Sequence, residues 1–270
     1  MRNSRCLIGG GLIALMLFAP HVGLTQPSID ELNKLRFELL QKDIESLKAG
    51  QKAIIDELQE MKKLLSSRGE ARGDDRSPIR DINTIISVGD AFSKGDKKAT
   101  LTLVEFTDYQ CPFCGRHVRE TLPKLEKEYI ATGQLKYVAR DFPLETIHKF
   151  ARKASEAFWC ANDQGKGEAM HERLFAHQQQ LQPEALEQHA EALGLDVQAF
   201  KTCLGSSKYT DKINASLKDG QKVGVTGTPA FLLGYTQGDG SEVKAVKFLS
   251  GALPFDTFKA NIDKLLDAKK

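Results

Sequence analysis

Two cysteines separated by two residues, Cys111-Pro112-Phe113-Cys114, are the part of this sequence best suited to chemistry. They follow directly on an apolar run ending Val104-Glu105-Phe106 and open a helical pattern. Pro112 suits a first helical turn, where its missing N–H would be unpaired in any case. Cys111 then falls at the helix N-terminus, where free N–H groups and the dipole favour a thiolate. A lowered pKa makes one sulfur both a nucleophile and a good leaving group, as thiol–disulfide exchange requires. Cys114, one turn further on, is placed to be buried and to resolve a mixed disulfide. The competing chemistry is half of a zinc site, with His117 as a third ligand. Tetrahedral zinc needs a fourth ligand, and no second C-x-x-C or histidine cluster lies near. His117 is therefore read as an ordinary polar residue on the helix, and His148, His171 and His177 as structural or exposed.

Three further features bear on the same chemistry. Glu105 stands six residues before Cys111 inside an apolar strand, and a buried carboxylate is costly without a partner or a role. Its alternative is a strand-edge acid paired with a lysine. Gly224-Val225-Thr226-Gly227-Thr228-Pro229-Ala230-Phe231 puts a proline just before a strand, which by itself reads as a turn. Cys160 and Cys203 lie on apolar helix faces, in Phe158-Trp159-Cys160-Ala161 and Lys201-Thr202-Cys203-Leu204.

The elements that must position these residues are those of an α/β domain. Ile85, Ile86 and Val88 form a short strand, followed by a turn through Lys94, Gly95 and Asp96. Leu101–Phe106 is almost continuously apolar, as a central strand buried on both faces should be. The helix begun at the cysteines continues through Leu122–Thr132, and Leu135–Phe142 is the next strand. From Thr146 to about Val223 the pattern is helical, with breaks at Gly165, Pro183, Gly194 and Gly205. Strands return at Ala230–Leu233 and Val243–Phe248, and Phe255–Ala268 is a closing helix. This order gives a sheet with a helical insertion, on a single domain spanning 81–270.

Ahead of that domain the sequence changes character. Arg2 and Arg5 precede an apolar stretch, Leu7–Phe18, which reads as a secretory signal peptide over 1–25, against the alternative of an uncleaved anchor. Residues 27–66 read as a helical oligomerisation segment. Ser28 and Glu31 have capping-box spacing, and Leu40, Ile44, Leu47, Gln51, Ile54, Leu58, Met61 and Leu65 advance by alternating steps of four and three. In a parallel homomer this register pairs Asp43 with Lys48 and Glu57 with Lys62. Ile55 and Leu64 widen the stripe and admit a trimer beside a dimer, while Gly50 costs roughly 1 kcal/mol mid-helix. The alternative is an amphipathic helix lying on its own domain. Polar, glycine-bearing residues over 67–80 make a linker.

The whole comprises 270 residues, 41% apolar and 27% charged, which excludes a chain disordered throughout. With 38 basic and 36 acidic side chains, nucleic acid is not expected as a partner. Five cysteines are too few for a disulfide scaffold. Loss of the signal peptide takes away Cys6, Arg2 and Arg5 and leaves four cysteines and balanced charge, fitting an oxidising compartment.

Over roughly residues 85–265 the domain resembles the thioredoxin fold and, within it, the DsbA-like periplasmic thiol–disulfide oxidoreductases. The residues that carry the resemblance are Glu105–Cys114, Arg140-Asp141-Phe142-Pro143-Leu144 and Gly224–Phe231. It implies a redox-active cysteine pair and no bound cofactor or metal. Pro229 would be cis and packed beside the cysteines, with Thr228, Pro229, Pro112 and Phe113 meeting an extended substrate peptide. Glu105 would assist proton transfer to or from Cys114. Some proteins of this kind carry a second, structural disulfide, so Cys160 and Cys203 are expected to pair, two free buried thiols being the alternative. The implied partners are unfolded or misoxidised exported proteins and a membrane redox protein of the DsbB or DsbD type.

Such proteins act as oxidases or as isomerases. Pro112-Phe113 lacks the histidine of the strongly oxidising DsbA type, and Thr228 is similar to the threonine of DsbC-type isomerases. The N-terminal helix resembles the arm of dimeric DsbA-like proteins, which favours isomerisation. A mainly donating oxidase, or a non-catalytic surface scaffold that keeps the fold, are the alternatives.

Overall fold

A computed structural model of the chain describes residues 28–70 and 77–269, the side chains of 62–70 excepted. The signal-peptide segment with Cys6, the central linker residues and the side chains of Lys62, Leu64 and Leu65 lie outside the described residues. The chain divides into two units, the first ending at Gly73 and the second spanning Asp74–Lys270.

In the first unit, α1 (Ile29–Glu70) is one helix that runs through Gly50 and four residues past the expected end. Its start is a reciprocal capping box. The Ser28 backbone N–H donates to Glu31 Oε2 at 2.9 Å, and the Glu31 N–H donates to Ser28 Oγ at 3.3 Å. Every described side chain from Ile29 to Met61 is exposed.

The second unit holds a six-stranded sheet of order β1-β6-β5-β3-β4-β2. Its strands are β1 (Ile79–Ser87), β2 (Phe92–Lys94), β3 (Leu101–Thr107), β4 (Leu135–Asp141), β5 (Ala230–Gln237) and β6 (Glu242–Ser250). β3 and β4 run parallel, and every other neighbouring pair is antiparallel. The parallel pair is joined by α2 (Pro112–Glu120), α3 (Leu122–Leu125) and a π-helical turn, Glu126–Ile130. The helix expected to run unbroken from the cysteines to Thr132 is thus interrupted at Thr121. β1 starts six residues earlier than its apolar triplet suggests. It is a half-buried edge strand whose register shifts between Asp81 and Thr84, so its first half lacks the apolar alternation that would announce it. Strand β2, three residues long, occupies the approach to the expected turn at Lys94.

Between β4 and β5 stand α4 (Ala151–Asn162), α5 (Gly167–Ala176), α6 (Pro183–Ala192), α7 (Val197–Gly205) and α8 (Thr210–Lys222), and α9 (Phe255–Asp267) closes the chain. All seven residues of β3 are buried. Alternation along it sends Leu101, Leu103 and Glu105 to one face and Val104 and Phe106 to the other. The first face packs against Leu122, Leu125 and Phe258, from α3 and α9; the second against Val138, Phe142 and Phe248. The helical insertion has its own core of Phe158, Met170, Leu174, Leu186 and Phe200, which also takes in Tyr109, Cys111 and Cys114. The Cys111–Cys114 segment therefore sits where sheet and insertion meet. Cys160 on α4 and Cys203 on α7 form a disulfide, with Cα atoms 5.8 Å apart.

Candidate active site

Cys111 is the N-cap of α2, in extended conformation (φ −71°, ψ 121°), with Pro112 as the first helical residue. The loop ahead of it is held by Asp108, a buried carboxylate. Asp108 Oδ1 accepts from Gln110 N at 2.7 Å, and Oδ2 accepts from Leu144 N at 2.8 Å and faces His148 Nδ1 at 2.9 Å. From the insertion, the Gln178 side-chain amide donates to the carbonyls of Tyr109 (2.9 Å) and Cys111 (2.8 Å). A Cβ on Gly115 would lie 2.0 Å from Gln178 Oε1, so only glycine there lets the amide approach.

The two thiols are free, buried and differently tuned. The Cys114 thiol facing it holds Cys111 down to about 6; Thr228 and the backbone N–H groups of Cys114 and Phe113 add to this against the effect of burial. Burial pushes Cys114 well above the ordinary thiol value, and its contact with Cys111 and the charge of Glu105 push it the same way. At pH 7 Cys111 is thus about tenfold more thiolate than thiol, whereas Cys114 holds its proton.

The Thr228–Pro229 peptide is cis. In the thiol form Cys111 Sγ donates to the Thr228 carbonyl at 3.3 Å, which joins the loop before β5 to the helix cap. Pro112 and Phe113 lie on the exposed side of the motif, Phe113 at 55% exposure.

Glu105 lies behind the cysteines on β3 and is fully buried. Among the described residues no lysine forms an ion pair with it. The Tyr137 hydroxyl donates to its Oε2 at 2.6 Å from the neighbouring strand. Burial raises its pKa to about 7, with Tyr137 and Thr107 pulling the other way. His117, expected as an ordinary polar residue, is instead completely buried against the Phe231 and Phe258 rings, its Nε2 3.6 Å from Glu105 Oε2. It occupies the inward face of α2 with Cys114, a spacing of three that marks one helical face. His171 is also buried, its Nδ1 3.0 Å from the Tyr109 hydroxyl. Gln178, Asp108 and Tyr137 acquire their roles only through tertiary contacts. Among the described residues no group of three or more His, Cys, Asp or Glu side chains is placed to hold a metal ion.

A domain model described as thioredoxin matches residues 87–263. The chain belongs to the thioredoxin family. Among solved structures, α-DsbA1 of Wolbachia pipientis is 27% identical, the match covering 65% of this chain and 90% of that one with a TM-score of 0.56. A thioredoxin-like oxidoreductase from Silicibacter pomeroyi is 26% identical over 64% of this chain and 91% of its own, with a TM-score of 0.54. With these neighbours and its free cysteine pair, this thioredoxin-family chain is DsbA-like in build. A curated sodium/proton antiporter, NhaA 3 of Salinispora tropica, is 33% identical over 140 residues, 52% of this chain and 21% of that protein. The chain thus spans about a fifth of the length of the curated relatives it matches. Among the described residues no helix is long and apolar enough to cross a membrane.

Proposed function

We propose that the protein forms and isomerises disulfides in exported proteins of the periplasm through Cys111 and Cys114, with isomerisation favoured by self-association of α1. In the exchange the Cys111 thiolate attacks a substrate disulfide, one substrate sulfur leaves, and a mixed disulfide forms. The substrate's freed thiolate can attack elsewhere and reshuffle its bonds. Alternatively, Cys114 gives its proton to Glu105 and attacks Cys111, which closes the enzyme disulfide and releases a reduced substrate. Thr228, Pro229, Pro112 and Phe113 line the place where the substrate segment would lie. A membrane protein of the DsbB or DsbD type would reset the pair.

The observation that carries the isomerase reading is the apolar seam of α1. Leu40, Ile44, Leu47, Ile54, Leu58 and Met61 are between 49 and 73% exposed on a helix of 42 residues. Large apolar side chains repeated every 3.5 residues and left open to water mark a surface for another helix. A second copy of α1 fits it, because the register sets Asp43 beside Lys48 and produces no like-charge pair. Removal of residues 28–70 is expected to abolish refolding of scrambled ribonuclease while oxidation of a small dithiol persists. Equal isomerase activity from the shortened chain overturns the reading. The second reading, a donating oxidase, is favoured by the low Cys111 pKa, since a stabilised thiolate makes the reduced pair the preferred product. Thiol trapping in intact cells separates them: a mostly reduced pair supports isomerisation, a mostly oxidised pair the oxidase.

A further inference from the structure

The Glu105–His117 pair is the buried polar cluster that the cysteine chemistry leaves unexplained. Among the described residues neither ring nitrogen of His117 has a hydrogen-bond partner, and neither does Glu105 Oε1. Buried polar atoms in native proteins are almost always paired, so three orphans at one place call for an explanation. The imidazole leans on uncharged rings, with the Phe231 centroid at 4.6 Å and the Phe258 centroid at 5.3 Å. Its Nε2 stands 3.6 Å from Glu105 Oε2, just beyond hydrogen-bond range.

We propose that His117 is a positioning residue for the proton of Glu105, an imidazole whose N–H closes onto the carboxylate when Glu105 is ionised and opens when it is protonated. The proposal rests on the reading of Glu105 as the proton acceptor for Cys114.

The surroundings of Glu105 make such a donor matter. From β4 it meets Tyr137, from its own strand Thr107, and from α2 Cys111 and Cys114; the Tyr109 hydroxyl also feels its charge. β5 and α9 present the Phe231 and Phe258 rings to the imidazole. Each of these neighbours is neutral or anionic, and Arg116, which lines a cavity with His117 and Glu120, donates to the Ala252 carbonyl. Burial keeps the imidazole itself neutral, its pKa pushed down to about 3, so one nitrogen carries a proton and can donate without the site acquiring a cation.

The resolving step then runs as follows. The Cys114 S–H bond breaks and its proton passes to the Glu105 carboxylate. The Cys114 thiolate attacks the Cys111 sulfur, the enzyme disulfide forms, and the substrate sulfur leaves with the electron pair. Two electrons pass from the enzyme thiols to the substrate. Run backwards, the Cys114 thiolate takes the proton from the Glu105 carboxyl. In the forward direction a carboxylate must be available at neutral pH, and a donor that closes only on the ionised form keeps it available.

The test uses the full reduced chain and Ellman's disulfide. The first thionitrobenzoate is released by Cys111, the second when Cys114 resolves the mixed disulfide, so the second phase followed against pH reads the Cys114 proton. Glu105→Gln should change that profile; an unchanged profile overturns the acceptor role of Glu105 and the proposal with it. If that role holds, His117→Phe should move the midpoint up by about one pH unit, slowing the second phase near pH 7 about fivefold, and should have no such effect in the Glu105→Gln background. An unmoved midpoint, or a shift that persists without the carboxylate, overturns the role of His117 alone. Nitrogen NMR of the unmodified chain needs no variant: the His117 ring signal should shift with the Glu105 titration, and a flat signal overturns the proposal.

Discussion

The two cysteine pairs of this domain, one bonded and one free, sit in opposite environments. Cys160 and Cys203 lie 43 residues apart within two different helices, and Cys160 is buried among Phe158, Trp159 and Ala161. Helix packing already sets their Cα separation, and neither stands at a helix N-terminus. Cys111 and Cys114 share one helical turn, with the first at the cap and the second inside. Their pKa values are pushed in opposite directions, and an acid stands behind them. The difference lies in what each sulfur sees after the bond breaks. The buried Cys160 and half-buried Cys203 stand within their helices, away from any cap, whereas Cys111 stands at a cap with N–H groups beside its sulfur and Cys114 has a buried acid behind it.

The comparison breaks if the brace proves to be part of the chemistry. Replacing Cys160 and Cys203 together by alanine opens a loop of 43 residues and is expected to cost about 4 kcal/mol from chain entropy. Thermal unfolding should register that loss while the rate of Cys111 alkylation at pH 7 stays within twofold. A large fall in alkylation rate in the folded variant would mean that the brace tunes the reactive pair.

Glu105→Gln sharpens the other side. The acid's pKa is raised from its ordinary value of 4.5 to about 7 in the folded reduced protein. The protonated form is the one the fold prefers, so its contribution to stability is complete below pH 4.5 and is lost as the pH rises through 7. At pH 8 the carboxylate costs on the order of 3 kcal/mol. The reduced Gln variant should therefore unfold later than the parent at pH 8 and at the same point near pH 4. Equal stability at both pH values would mean that the carboxylate is not desolvated.

Much of this contrast is legible in the sequence because it is local. A strand running into Cys-x-x-Cys with proline at the first helical position specifies the cap, and Ser28 with Glu31 specifies the start of α1. The proline at 229 stands out by its place just before β5. What escapes is long-range or short. β2 has three residues, too few for any periodicity. The burial of His117 is within reach of the sequence, since it shares the inward helical spacing of Cys114, but its polar type argues for the outside. Tyr137 meets Glu105 only because β4 pairs with β3 in a register that sets Tyr137 opposite Leu103, one residue pair away on the same face.

Gln178 is the least legible residue and joins the two regions. It lies in a run of three glutamines between α5 and α6, with no periodicity to mark it, and reaches back 67 residues to the Cys111 carbonyl and 69 to that of Tyr109. Through it the braced insertion holds the reactive cap. The Cys111 carbonyl keeps a second partner, the Gly115 N–H at 3.1 Å, so loss of the amide loosens the cap without removing it. Gln178→Ala is expected to cost 1–2 kcal/mol, about that of two ordinary hydrogen bonds. Cys111 alkylation should change by less than fivefold, with the Cys160–Cys203 bond intact by mass spectrometry. If the alkylation rate instead falls tenfold or more, the amide is part of what makes Cys111 reactive, and brace and reactive pair belong to one coupled unit.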